Sequence, residues 1–479
     1  MVTTDMPDRL KKTNIGTFGL FFQGLGQEAP IAIFIGSVTG AAAYALGATP
    51  LAFIIGMIAS LLSGNSIYQY SKKVAHAGGY SAYVNRGLGK AFAAFTGYLY
   101  VLYELVGPAF IVLIYFWTFS SSLNAVFGTN ISDLVGIAFV SVALLAAFVV
   151  VFRGLRLSVV SLTVLGIIQF VIVFVISSIL LVKAPVRSIQ PFLPASALQG
   201  YHGLFLGFIT GSYGAYAGYG SVVPLGEEVK SPHRSIGRAV LLIILIMGVT
   251  YIFSAYAMVS AWGMSNMANF AYSGFPGAIL AGQFINLPSE GLIIVFYDAV
   301  IFTPLVTMLT ACSRMMFSLS RQDLLPKRLS RVHRKFGTPG NAVVLSTILI
   351  TLIIVADAAI FWYQYGFQTG IFFSWIILEI IWSLSTLVIH VLVNSSLSVE
   401  AARSFRAREI LTHFVFPTAA SAIIVLAIAY SLQGMAMPIE LAPLTLLVYA
   451  VISIGVMLAQ KAKVKVLKFE DAVELTEVS

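Results

Sequence analysis

Apolar runs of about twenty residues, each closed by a short polar break, recur along the whole of this chain. Twenty residues of helix match the thickness of a bilayer core, so each run is long enough to cross it once. The ten-residue alternation of a membrane barrel does not occur. About twelve spans are expected, at roughly 14–45, 50–70, 92–118, 134–152, 157–182, 203–225, 239–261, 290–316, 341–360, 369–393, 410–432 and 440–459. The predicted class is an all-α integral membrane protein. One transmembrane domain covers 14–460, between an N-terminal tail at 1–13 and a C-terminal tail at 461–479.

Two spans carry a second pattern inside the first. Residues 211–239 read GSYGAYAGYGSVVPLGEEVKSPHRSIGRA, so Gly211, Gly214, Gly218 and Gly220 interrupt span 6, with Tyr213, Tyr216 and Tyr219 threaded between them. Span 1 carries Gln23-Gly24-Leu25-Gly26-Gln27-Glu28-Ala29-Pro30. Hydrocarbon offers no partner to free backbone groups, so an interrupted helix at membrane depth lines a cavity or is buried in protein. Single glycines more often serve close helix packing. A matched pair of interrupted spans in two halves points instead to a transport site. The pair defines two five-helix units, about 14–183 and 203–394, each with a broken first helix. Their odd number of helices makes them inverted with respect to each other, and the helices at about 410–460 stand outside the repeat.

Composition and charge sharpen this picture. Hydrophobic residues make up 59% of the chain and charged ones 10%, too few to solvate a soluble domain of this size. All but two of the 28 basic residues, Lys183 and Arg187, fall in the N-terminal tail, the even-numbered loops or the C-terminal tail, and none is assigned to a span interior. By the positive-inside rule both termini are cytoplasmic in a multi-pass protein of the cell membrane. The net charge of +9 then reflects topology and lipid headgroups, and needs no nucleic-acid partner. The N-terminal tail lacks a signal-peptide core, so the first span is expected to stay. The single cysteine, Cys312, excludes an internal disulfide, and no Cys/His cluster has metal spacing, so no metal or other cofactor is expected.

Four acids, Glu28, Glu104, Asp298 and Glu379, lie inside predicted spans. A charge at mid-bilayer costs about 2.5–3.5 kcal/mol on insertion scales, so each is a functional candidate. Without an internal base they are protonated, hydrogen-bonded or await a cation, which could be a proton, a sodium ion or a substrate amine. Glu28 lies in the interrupted stretch of span 1, while Glu104 and Asp298 occupy equivalent spans 3 and 8. Thr303, Thr307 and Thr310 offer hydroxyls to a cation or to their own helix. His390 and Asp357 fall near predicted span ends and read as interfacial.

Three separated segments resemble the amino acid–polyamine–organocation transporter family. Residues 216–239 are similar to its sixth-helix signature, with Glu227, Glu228, Lys230, Pro232, Arg234 and Arg238 at matching spacing. Residues 77–89, AGGYSAYVNRGLG, resemble its first cytoplasmic loop, and 313–342 the segment after helix 8. The resemblance implies a substrate site between broken helices 1 and 6. Backbone of Gly24, Leu25, Gly26 and Gln27, with that of Ala215, Ala217 and Gly218, would surround an α-amino acid moiety. Tyr216 would cover it as a gate, Tyr219 is a second aromatic, and Glu104 a further contact. Coupling candidates are Glu28, Asp298, Gln169, Thr307 and Thr310; Glu227, Glu228 and Arg314 are candidates for an inner gate, or for topology and headgroup contacts.

Two departures stand out. Gly220 replaces a family glutamate, and Gln169 occupies the helix-5 position where some proton-coupled members carry lysine. Gly24-Leu25-Gly26-Gln27 also resembles the broken first helix of neurotransmitter:sodium symporters, but the Arg-Phe-Pro run that follows there is missing. The expectation is a secondary transporter for an amino acid or related amine, monomeric or homodimeric, coupled to protons or sodium or working by exchange. A polyamine or other organic-cation carrier of the same fold is the alternative; a channel or intramembrane enzyme is the reading from another class.

Overall fold

The computed structural model describes residues 10–404, 407–433 and 435–467, and contains no strand among them. Span 1 comprises α1 (Thr17–Glu28) and α2 (residues 30–45, with a wide turn at Ile33–Ser37). α3 (Thr49–Ser71) follows, then the short α4 (Gly79–Leu88). α5 (Lys90–Phe127), α6 (Asp133–Arg153) and α7 (Leu155–Lys183) complete the first half. The second half opens with α8 (residues 201–215), which gives way to tight 3-10 turns over Ala217–Leu225. α9 (Pro232–Trp262), α10 (Pro276–Phe284), α11 (Leu287–Ala299) and α12 (Phe302–Arg321) come next. α13 (Gly340–Tyr365), α14 (Phe367–Arg403), α15 (Phe416–Ser431) and α16 (Leu441–Ala459) end the series.

Ten helical stretches among the described residues are long and apolar enough to cross a membrane. Thr17–Ser71 counts as one of them, although the chain turns at Leu46–Ala48, where Leu46 takes φ 44. Span 6 is not among them, because its helix is cut into short pieces. α5 lies at the centre, packed against α4, α12 and α14. α6, α13 and α16 turn Leu134, Val142, Val355, Leu447 and Ile452 outward, as lipid-facing helices do.

The interruption in span 1 is not at its glycines. α1 runs helical through Gly24, Gly26 and Glu28, and the chain breaks at Ala29, with φ 43 and ψ 79. Pro30 explains the position: its ring disfavours the helical region for residue 29, and it brings no N–H to the helix. The glycines serve contact instead. A β-carbon on Gly24 would stand 2.3 Å from Ile243, and one on Gly26 2.6 Å from Leu162.

Span 6 divides the same way. Gly203, Gly207 and Gly211, four residues apart, form a stripe on which α2 lies; a β-carbon at Gly211 would meet the Ser37 carbonyl at 2.2 Å and the Ala41 amide nitrogen at 2.4 Å. The break itself falls at Tyr216, with φ −96 and ψ −3. Span 8 holds an interruption that the sequence reading missed, at Val300–Ile301 between α11 and α12. Pro304 has no N–H for the Val300 carbonyl, which instead accepts from the Thr303 amide at 2.9 Å and the Thr303 hydroxyl at 3.0 Å.

Gly211→Val drives a side chain into the α2 backbone, so it is expected to destabilise the fold by about 1–3 kcal/mol or more. Gly214→Ala, with nothing within 4 Å of its new methyl, should leave the melting temperature almost unchanged. Thermal unfolding of the two variants in one detergent checks the contrast.

Candidate functional site

The two breaks meet. A β-carbon on Gly218 would lie 2.7 Å from Glu28 Cγ and 3.1 Å from Gln27 Cβ, so only glycine lets the two backbones approach this closely. Glu28 is 3% exposed, and its Oε2 accepts a hydrogen bond from the Tyr251 hydroxyl at 3.0 Å. Gln27 Nε2 donates to the Tyr103 hydroxyl at 2.9 Å, which donates to the Ala217 carbonyl at 3.3 Å. Gln27, Glu28, Ala217 and Gly218 thus form one junction, built from spans 1 and 6 and braced by Tyr103 of α5 and Tyr251 of α9.

Aromatic rings wall it on two sides. The Tyr216 hydroxyl donates to the Phe53 carbonyl at 3.1 Å, and the rings of Phe53, Tyr216 and Tyr251 contact one another. Tyr103 stacks on Trp382 at 5.2 Å between centroids, and Tyr219 lies 5.3 Å from His390. His390 is buried, which corrects its reading as interfacial: α14 continues to Arg403, ten residues past the predicted span end at 393. Phe53, Tyr103, Tyr251 and Trp382 carried no signal in the sequence, since each is one apolar or amphipathic residue within an ordinary span.

The remaining candidates sit farther out. Leu25 packs on Gly166, Gln23 accepts from Ser158 at 3.3 Å, and Ala215 is buried at the end of α8. Gln169 lies on the buried face of α7 with Leu162 and Gly166, which face α1, and neither atom of its amide has a hydrogen-bond partner. Glu104 is fully buried beyond Tyr103, and Asp298 is buried just before the α11–α12 break. Thr307 and Thr310 both bond backbone of their own helix, at 3.0 and 2.7 Å; Thr307 also reaches the Gln23 carbonyl at 3.3 Å. Gly220 has its own structural reason: the Tyr80 hydroxyl of α4 would stand 1.8 Å from a β-carbon there, so a glutamate could not fit.

Below the junction lies a second constellation. Arg314, at the end of predicted span 8 and counted there with the basic residues of the following loop, lies within α12 and is completely buried. It donates to Glu228 through Nε at 2.7 Å and Nη2 at 3.1 Å. Complete burial of Arg314 excludes lipid headgroups as its partner. Arg321 pairs with Glu227, whose Oε1 also accepts from the Ala77 amide at 2.9 Å. Burial opposes ionisation of Glu227, but facing His76, Arg321 and the Ala77 amide hold its carboxyl below the usual range. Burial pushes His76 down to about 4, outweighing the attraction of Glu227. Thr13 adds the N-terminal segment to the network, since its amide and hydroxyl both donate to the Glu228 carbonyl, at 2.7 and 2.8 Å.

Comparison with known proteins places this arrangement in context. The model of the amino acid permease family matches residues 19–468. A branched-chain amino acid permease of Bacillus subtilis is 23% identical over 351 residues, 71% of this chain and 74% of the relative. A methylthioribose transporter of the same organism is 27% identical over 350 residues, 70% of this chain and 73% of its own. Cationic amino acid transporter 5 of Arabidopsis thaliana is 25% identical over 350 residues, 70% of this chain and 58% of the relative.

Arg314→Met leaves the Glu228 carboxylate buried without its partner, and should cost about 3–5 kcal/mol of stability. Adding Glu228→Met should recover most of the loss, as unfolding of the single and double variants would show. Above pH 6.5 His76 is neutral in both folded and unfolded chains. As pH falls from 6.5 towards 4, the unfolded chain takes up a proton that the folded one resists, so stability declines across that window. His76→Gln is expected to flatten that part of a stability–pH curve.

Proposed function

The chain belongs to the amino acid permease family, and from that premise we propose that it is a secondary active carrier moving an amino acid or related amine by alternating access. The observation that carries this reading is the contact of Gly218 with Glu28, where two interrupted spans meet deep in the protein. Backbone groups released at such a junction, together with a buried acid, can bind a polar solute that the surrounding bilayer excludes.

In this reading the chain crosses the membrane twelve times with both termini cytoplasmic, and spans 1–5 and 6–10 form inverted units. Spans 1, 2, 6 and 7 rock against spans 3, 4, 8 and 9. Glu227 and Glu228 follow span 6, while Arg314 and Arg321 belong to α12 of span 8, so their pairs tie the moving part to the scaffold on the cytoplasmic side. The gate opens when those pairs separate. Gln169 cannot carry a proton as a lysine would, so coupling falls to Glu28, another acid, a sodium ion or uncoupled exchange. The relatives' printed substrates, branched-chain and cationic amino acids and methylthioribose, define the panel to try.

The purified protein in proteoliposomes is expected to take up at least one amino acid or amine saturably, and to exchange labelled for unlabelled substrate. Imposed pH and sodium gradients then identify the coupling ion. Flux that never saturates and lacks counterflow would mark a channel, and absence of any uptake or exchange by folded protein would overturn the carrier reading.

A further inference from the structure

We propose that Glu28, with the wall formed by Phe53, Tyr216 and Tyr251, is a subsite for the ammonium group of an organic amine, and that it gives cationic amines preference over zwitterionic and acidic amino acids. The inference rests on the carrier reading and specifies which charge its site selects.

The junction holds two carboxylate or amide oxygens free to accept. Glu28 Oε1 and Gln27 Oε1 are buried without a hydrogen-bond partner among the described residues. Three donors beside them are already committed: Tyr251 to Glu28, Gln27 Nε2 to Tyr103, and Tyr216 to Phe53. At the start of α2, the amides of Ala32 and Ile33 both bond the Ala29 carbonyl. Because α1 stays helical through Glu28, backbone amides of Gly24–Gln27 remain within the helix and cannot cradle a carboxylate. A substrate carboxylate here would meet a buried glutamate, whereas an ammonium supplies three donors, two of which the Glu28 and Gln27 oxygens could accept.

The rings favour the same charge. Phe53, Tyr216 and Tyr251 lie 5.6–6.4 Å apart by centroid, on the side of Glu28 where Tyr251 makes its hydrogen bond. Their faces attract a cation, most strongly where water is excluded. Arg314, the fully buried base, is engaged by Glu228, so it does not supply Glu28 with a counter-charge.

The test measures binding by thermal shift, and counterflow in proteoliposomes, with putrescine and ethylammonium set against leucine and glutamate. Both amines are expected to stabilise the full-length protein at lower concentrations than leucine, and glutamate least of all. Glu28→Gln should weaken amine binding by about 10- to 100-fold, the range for losing a charge-assisted hydrogen bond, with a smaller change for leucine. Phe53→Leu should weaken amines several-fold, about as expected for losing one cation–π contact, and serves if Glu28→Gln does not fold. Equal amine affinity in wild type and both variants, or tighter binding of leucine or glutamate than of amines, overturns the subsite. Leucine counterflow without amine binding overturns it and leaves the carrier standing. Amine binding without any counterflow upholds the subsite and overturns the carrier.

Discussion

Everything in this protein follows from the cost of leaving backbone polar groups unpaired in hydrocarbon. A chain with 59% hydrophobic residues can meet that requirement by continuous helices, and most of its spans do. Two of the exceptions are dictated by proline. Pro30 sets the break at Ala29, and Pro304 sets the break at Val300–Ile301, where Thr303 supplies the missing donor. In each case the interruption is buried in protein, as the constraint requires. Gly218 then permits what the breaks make useful, because a side chain there would hold the two interrupted spans apart.

The pattern of apolar runs made the helical class and most of the spans legible, since length and hydropathy are local properties. The interrupted stretches of spans 1 and 6, singled out in the sequence, are brought together at Gln27, Glu28, Ala217 and Gly218. What failed was the physical role given to glycine. Gly24, Gly26 and Gly211 read as helix breakers, yet each is helical and lies under a neighbouring helix. Sequence cannot separate these roles, because both need the absence of a β-carbon. Proline is less ambiguous, and Pro30 and Pro304 could have been given more weight. The aromatic wall was illegible for a different reason: Phe53, Tyr103, Tyr251 and Trp382 come from four separate helices, and only packing brings them together.

Arg314 shows a related limit. Position near a predicted span end says nothing about depth, and the guanidinium is entirely buried. A buried cation needs a partner of matching geometry, and the carboxylate of Glu228, contacted by Nε and Nη2, provides one. Gly220 is the complementary case: the Tyr80 hydroxyl of α4 fills the space a side chain there would need, and lies 3.4 Å from His390 Nε2.

The two kinds of polar site also differ in what they ask of a moving protein. An ion pair buried at a membrane face is near break-even, because the hydration regained on separation offsets the Coulomb attraction lost. A seal made of apolar surface would instead forfeit about 25 cal/mol for each Å² exposed. In the proposed carrier the Glu228–Arg314 and Glu227–Arg321 pairs would therefore suit parts that join and come apart, holding register without a deep energy well. Glu28 has no such exit to water, being enclosed by Tyr216, Gly218 and Tyr251. In the proposed carrier a coupling ion or a substrate amine would relieve it, so the centre would select and the Glu–Arg pairs release.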